Sequence, residues 1–131
     1  MRYKTVIILA GLMGSVSLMT AFMPAEQKRE TNLKILPKNI SHEDLSKVMN
    51  GFNTALGVKC NFCHAAKSDD PKRLDFSSDA KPEKGIARDM MRMTARINKK
   101  YFHIKNIYEP KAVLAVNCVT CHNGKAHPEA N

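Results

Sequence analysis

Tryptophan is absent from this chain of 131 residues, and large aromatic rings are scarce, with three tyrosines and five phenylalanines. A chain of this length has room for one domain and for no second core. With so few large apolar rings, its side chains alone would bury only a thin core. We therefore expect something other than side chains to fill part of its centre.

Concentrated runs of basic residues are also missing, although the formal net charge is +9. The densest basic pairs are Lys28 with Arg29 and Lys99 with Lys100, and aromatic residues do not interleave them. Spacings typical of helix-turn-helix or zinc-finger modules are absent. We therefore predict a solvated basic surface and no binding to nucleic acid.

Alternating strand patterns are absent as well, and two segments carry helical periodicity instead. In the first segment, Ser41 is suited to cap the N-terminus of a helix, and Gly57 is suited to end it. The apolar positions between them are Leu45, Val48, Met49, Phe52 and Leu56. The following residues 65–81 are rich in Ser, Asp, Pro and Lys, which predicts a loop.

A second helix is predicted to begin near Pro82, because proline is favoured in the first turn of a helix. One apolar stripe runs along it for about five turns. The stripe comprises Ile86, Met90, Met93, Ile97, Tyr101 and Ile104. The predicted fold is therefore mainly α, with two repeats of helix, short connection and cysteine motif.

All four cysteines lie in two short stretches, "VKCNFCHAAK" at residues 58–67 and "NCVTCHNGK" at residues 117–125. Each stretch contains C-x-x-C-H, the attachment signature of c-type haem. Two cysteines three positions apart on a helical turn can form thioethers to both vinyl groups of one porphyrin, and the next histidine can ligate the iron. We therefore predict two haem c groups. The first is attached to Cys60 and Cys63 with His64 as proximal ligand, and the second to Cys118 and Cys121 with His122.

Three other uses of cysteine explain the pattern less well. The C-x-x-C pairs of a zinc ribbon are separated by about 15–20 residues, whereas 54 residues lie between Cys63 and Cys118. A thioredoxin-like redox pair would need a βαβ setting, which is missing. Structural disulfides would give no reason for a histidine after each second cysteine.

The sixth iron ligand is not determined by the motifs themselves. Met49 lies on the apolar face of the first helix, 11 residues before Cys60. Met90 and Met93 lie on the stripe of the second helix, while Met91 is turned about 100° from Met90. A methionine on such a stripe is more often core filler than ligand.

Histidine is the other possible sixth ligand. The candidates are His42, His103 and His127, with His103 near the end of the second helix favoured and His127 expected to be solvated.

The stretches "DLSKVMNGFNTALGVKCNFCH", "ARDMMRMTARIN" and "VNCVTCHNGK" resemble the cytochrome c subunit of bacterial photosynthetic reaction centres, a multihaem family built from repeats of helix, turn and C-x-x-C-H. The resemblance extends from about residue 32 to residue 125. It implies a methionine ligand from the helix before each haem motif. On this basis we expect Met49 at the first haem and Met90 at the second, ahead of Met93 and His103.

The resemblance is partial, because members of that family carry four haems in a longer chain and this sequence has two motifs. The predicted function is electron transfer between redox partner proteins by a dihaem carrier with His and Met ligands. The chain is then not an enzyme. Two alternatives are a dihaem peroxidase-like enzyme and a haem-based sensor, each of which needs one open iron site.

Residues 1–25 form a separate N-terminal segment, with Arg2 and Lys4 followed by an uncharged stretch from Thr5 to Ala25. This arrangement predicts an export signal or a retained membrane anchor. The cytochrome domain then comprises residues 26–131. We expect it in the periplasm, either free or attached to the inner membrane.

Overall fold

The computed structural model describes residues 31–128, and this part of the chain is mainly helical. Its elements in chain order are α1 (His42–Leu56), α2 (Cys60–Cys63), β1 (Ala65–Ala66), β2 (Leu74–Asp75), α3 (Pro82–Phe102) and α4 (Cys118–His122). The predicted mainly α fold is therefore confirmed.

Helix α1 has the ends that the sequence predicts. The Ser41 hydroxyl accepts a hydrogen bond from the backbone N–H of Asp44 at 3.0 Å, which satisfies one free donor of the first turn. Gly57 follows the last turn in the left-handed region, with φ 65°, and its N–H bonds to the carbonyl of Asn53. Only two residues then separate Gly57 from Cys60, so the end of α1 determines where the first motif begins.

Helix α3 begins at Pro82 as predicted and ends at Phe102, with His103 in the left-handed region at φ 55°. Ile104, the last position of the predicted stripe, therefore lies beyond the helix. The stripe is poorly covered by protein, since Ile86 is 58% exposed and Tyr101 is 65% exposed. The side chains that α3 does bury lie elsewhere and are Ala95 and Asn98.

A small antiparallel ladder lies within residues 65–81, where the sequence predicts only a loop. Ala65 pairs with Asp75 and Ala66 with Leu74. The turn between the strands is closed by a hydrogen bond from the N–H of Lys67 to the carbonyl of Arg73 at 2.8 Å. The loop prediction missed this ladder, because two-residue strands are too short to show an alternating pattern.

Helices α1 and α4 pack against each other through a close approach of backbone. The N–H of Gly124 donates to the carbonyl of Ala55 at 2.9 Å. A side-chain carbon on Gly57 would overlap the carbonyl oxygen of Gly124. The end of α1 and the end of α4 therefore meet at two glycines, Gly57 and Gly124, which have no side chains.

Very little apolar surface is enclosed by protein alone. Among the described residues, the buried apolar side chains are Ala55 and Ala95. Phe76, Ile86 and Met93 are large apolar residues that remain exposed. This thin core agrees with the expectation from composition that another group contributes to the centre.

No helix between residues 31 and 128 combines the length and the apolar character that a bilayer crossing requires. The predicted signal or anchor at residues 1–25 lies outside the described residues.

Candidate haem-binding sites

The first C-x-x-C-H motif opens onto a cavity of about 1520 Å³. Cys60 and Cys63 are the first and last residues of the single turn α2, so they lie on one side of it. His64 follows as the C-terminal cap of that turn. Met49 of α1 lines the same cavity as these three residues. The structure thus brings the predicted attachment, proximal and distal residues of the first site to one space.

The His64 imidazole is held beside an aromatic ring and is partly buried. Its ring meets that of Phe76 edge-on, with 5.0 Å between the ring centroids. Burial lowers the pKa of His64, the nearby cations Lys84 and Arg88 lower it further, and Asp75 opposes them. The neutral imidazole is therefore favoured, and it is the form that ligates a metal. Its buried Nδ1 has no hydrogen-bond partner among the described residues.

A cluster of cations around Asp79 borders this cavity. The Asp79 carboxylate lies 2.7 Å from Lys34 Nζ, 3.3 Å from Lys84 Nζ and 2.9 Å from Arg88 Nη1. Hydrogen bonds from Lys34, Arg88 and Lys84 hold the pKa of Asp79 well below its usual range. Arg88 also donates to the carbonyl of Asn32 at 3.0 Å. The cluster thereby ties residues 32–34 and the loop before α3 to α3 itself.

The second motif forms the helix α4 and opens onto a smaller cavity of about 210 Å³. Asn117 and Thr120 make a reciprocal capping box at the start of α4. Cys118, Cys121 and His122 all line the cavity. Met90 of α3 lines it too, so the predicted residues of the second site also share one space.

The His122 ring has a backbone partner that the His64 ring lacks. Its Nδ1 lies 2.9 Å from the carbonyl oxygen of Lys125. A carbonyl can only accept, so Nδ1 carries the hydrogen and donates it. This contact leaves Nε2 as the nitrogen available to a metal, an arrangement usual for metal-ligating histidines.

The remaining candidate ligands are distributed unevenly. Met93 and His127 line the second cavity and His42 lines the first, whereas His103 lines neither. His127 is exposed, as the sequence predicts, although it borders the second site. Met91 differs from the expectation that it turns away, because it lines both cavities.

The two cavities are neighbours that share part of their walls. The residues that line both are Phe52, Leu56, Cys63, Ala87 and Met91. Four of these come from the helices that precede a motif in the chain, α1 and α3, so both helices help to form both spaces. Only this layer of side chains separates the two spaces.

Asn98 is a residue that supports the second site and that sequence reasoning missed. Its side chain is completely buried and contacts both backbone polar groups of Val116, two residues before Cys118. The sequence offers one signal for it. Asn98 is polar and directly follows Ile97, which belongs to the apolar stripe of α3. It fixes the second motif against α3.

A sequence profile described as the photosynthetic reaction centre cytochrome C subunit matches residues 32–131 of this chain. The chain belongs to this family. Its similarity to a photosynthetic reaction center cytochrome c subunit of Rubrivivax gelatinosus is 28% identity, covering 77% of this chain and 31% of that protein. Its similarity to cytochrome c-554 of Chloroflexus aurantiacus is 36% identity, covering 53% of this chain and 14% of that protein. No solved structure gives a significant match.

Membership of the reaction centre cytochrome c subunit family confirms the predicted resemblance and the c-type cytochrome class. The family implies covalently bound haem c, and both of these relatives carry cytochrome names. The chain spans about a third or less of the length of the curated relatives it matches.

The donor set fits the haem c that this cytochrome family implies. All four cysteines are free thiols, and burial is the main cause that raises the pKa of Cys63 and of Cys118. Each pair is available for two thioether bonds next to a histidine that faces a cavity. Across residues 31–128, no three His, Cys, Asp or Glu side chains converge as a metal-binding group, so the two cysteine pairs do not form one zinc site.

Proposed function

We propose that this chain is a dihaem c-type cytochrome that passes single electrons between redox partner proteins outside the cytoplasm. The observation that carries the proposal is the pair of adjoining cavities, each lined by one complete C-x-x-C-H motif and at least one methionine. Haem iron supplies the chemistry by alternating between its ferric and ferrous states.

The cysteines would hold the haems covalently. Cys60 and Cys63 would attach the first, and Cys118 and Cys121 the second. In each bond a thiol would add across a vinyl group, with its proton going to the vinyl carbon, so that no oxidant would be consumed. The free state of all four cysteines supports this role, because a disulfide could not react in this way.

The axial residues would close both irons against small molecules. His64 and His122 would ligate from the proximal side, and Met49 from the distal side of the first haem. For the second haem we propose Met90, with Met93 and His103 as the weaker alternatives. Two axial side chains leave no open position for oxygen or peroxide, which suits transfer of electrons alone.

Intact mass and ligand spectra would test haem number and ligation together. We expect the mass of the purified full-length protein to exceed that of the polypeptide by two haems. We expect a methionine-to-iron band in the near infrared that weakens in Met49→His and again in Met90→His, with a lower reduction potential in each variant. Met91→Leu is the matched control and should keep the band at its wild-type intensity. Loss of the band in Met91→Leu, or its persistence in both His variants, would overturn the ligand assignment.

Carbon monoxide separates a carrier from an enzyme or a sensor. We expect no binding to the reduced wild-type protein, because both irons are six-coordinate. Tight binding at one haem would overturn the carrier proposal in favour of a peroxidase-like enzyme or a gas sensor.

The partner proteins and the location also remain proposals. The name of the Rubrivivax relative places that protein with a reaction centre, and for this chain we propose protein donors and acceptors of electrons. We propose that residues 1–25 direct export and, if retained, attach the cytochrome domain to the inner membrane. Fractionation of cells that express the full chain would test this, with residues 26–131 as the comparison. Both forms in the cytoplasm would contradict it.

A further inference from the structure

The walls of the two candidate haem cavities carry very different charge. The first cavity is lined by six basic side chains and two aspartates. These are Lys34, Lys59, Lys67, Arg73, Lys84 and Arg88 with Asp69 and Asp75. Among the described residues that line the second cavity, Glu83 is the only Asp, Glu, Lys or Arg. The first site is therefore surrounded by positive charge and the second is not.

Two of these cations are held firmly and lie close to the first proximal histidine. The side chains of Lys84 and Arg88 are only 12% and 13% exposed. Lys84 donates to the carbonyls of three consecutive residues, Phe76, Ser77 and Ser78, at 2.6–3.2 Å. Because both are shielded from water, their fields are screened less than those of surface cations.

The Asp79 carboxylate does not neutralise the cluster. It is shared by Lys34, Lys84 and Arg88, so positive charge is left over. Lys84 and Arg88 line the same cavity as His64, so their field reaches the proximal ligand.

The two proximal histidines also differ in their hydrogen bonds. His122 donates from Nδ1 to the Lys125 carbonyl at 2.9 Å. Such a bond increases the electron donation of the imidazole to a metal and stabilises the more positive oxidation state. The buried Nδ1 of His64 has no such partner within residues 31–128. This difference acts in the same direction as the charges.

We propose that Lys84 and Arg88 make the site of His64 the higher-potential of the two, so that electrons pass from the site of His122 across the shared wall to the site of His64. The inference rests on the proposed function, because it requires a haem at both motifs. The cations disfavour the additional positive charge of ferric iron. If they pair with haem propionates they act in the same direction, because they cancel negative charge.

Glu83 is expected to increase the difference in reduction potential by acting on the second site. Its Oε2 is buried without a hydrogen-bond partner among the described residues. It lines the second cavity and not the first, although Cys63 on the shared wall lies within its electrostatic influence. A carboxylate here favours ferric iron, with the larger effect expected at the second site.

A spectroscopic redox titration of the full-length holoprotein tests this order. The two reduction waves are first assigned with Met49→His and Met90→His, each of which moves the wave of its own haem. We expect the higher wave to belong to the first site. Arg88→Gln and Lys84→Gln should each shift that wave downward and leave the other nearly unchanged, and Glu83→Gln should raise the lower wave.

Two control variants separate charge from structural damage. Arg96→Gln removes the same charge from an exposed position of α3 that lines neither cavity, and it should leave both waves in place. Arg88→Lys keeps the charge and should retain most of the wild-type potential. A reversed order of waves, or equal shifts in Arg88→Gln and Arg96→Gln, overturns the inference.

Failure of the proposed function has a different signature. It would appear as one haem by mass, or as one reduction wave accounting for a single haem. A protein with two haems and two assigned waves, neither of which shifts in Arg88→Gln or Lys84→Gln, would still be a dihaem carrier. That result would refute only the proposed order of potentials.

Discussion

The buried side chain of Asn98 pairs with both backbone polar groups of Val116, eighteen positions further along the chain. Its Nδ2 donates to the Val116 carbonyl at 2.6 Å, and the Val116 N–H donates to its Oδ1 at 3.1 Å. Nδ2 also donates to the carbonyl of Thr94 at 2.8 Å. The amide thus supplies the hydrogen bonds that a neighbouring backbone would otherwise make to the segment before the second motif.

Replacing Asn98 with alanine should destabilise the fold. The change leaves the partly buried backbone groups of Val116 without their partner, which costs roughly 1–3 kcal/mol. The measurement is the denaturant midpoint of the holoprotein, followed by its visible spectrum and by circular dichroism. Asn106→Ala, at an exposed loop position, is the matched control and should change the midpoint little. Equal midpoints for the two variants would contradict the structural role of Asn98.

Gly57 and Gly51 should respond in opposite ways to alanine. Gly57 has φ 65° and no room for a side chain beside Gly124, so Gly57→Ala should cost at least about 1–2 kcal/mol. Gly51 lies inside α1 with nothing within 4 Å of an added carbon, so Gly51→Ala should stabilise by about 0.5–1 kcal/mol. Thermal unfolding of both variants would test this. A Gly57→Ala protein as stable as Gly51→Ala would refute the close approach of α1 and α4.

Removing the haems should abolish cooperative folding. Among the described residues, the side chains that protein alone buries are those of Ala55, Ala95 and Asn98. This core encloses too little apolar surface to offset the conformational entropy that the chain loses on folding. We expect a form with all four cysteines changed to alanine to lose most helical circular dichroism and its unfolding transition. A cooperatively folded protein without haem would show that the cofactors are not part of the core.

Asp79→Asn should reduce stability at neutral pH and not in strong acid. The pKa of Asp79 is lowered in the folded state, chiefly by Lys34, so the stabilisation is complete above the ordinary carboxyl value of about 4 and is lost as the pH falls through the folded value. Denaturant midpoints of wild type and variant should therefore differ at pH 7 and converge as the pH falls below about 4. Asp69→Asn, at an exposed position on the wall of the first cavity, is the control. A difference that grows in acid would contradict the assigned ion pairs.

Local features of the fold followed from short stretches of sequence. The Ser41 cap, the Gly57 stop and the Pro82 start lie where the sequence predicts them. Each depends on backbone conformation and on hydrogen bonds within a few residues, which composition and spacing encode directly. The short ladder at Ala65–Ala66 escaped prediction because its two-residue strands are formed by pairing rather than by propensity.

The sequence by itself determined the chemistry of this protein, because C-x-x-C-H places two thiols and an imidazole on one turn whatever surrounds them. Only the tertiary structure decided how the motifs relate to each other. Met91 on the shared wall, the Asn98 amide on Val116 and the unequal charges around His64 and His122 all arise from contacts between distant segments. Such contacts depend on how helices pack, and residue spacing along a single chain carries no record of that.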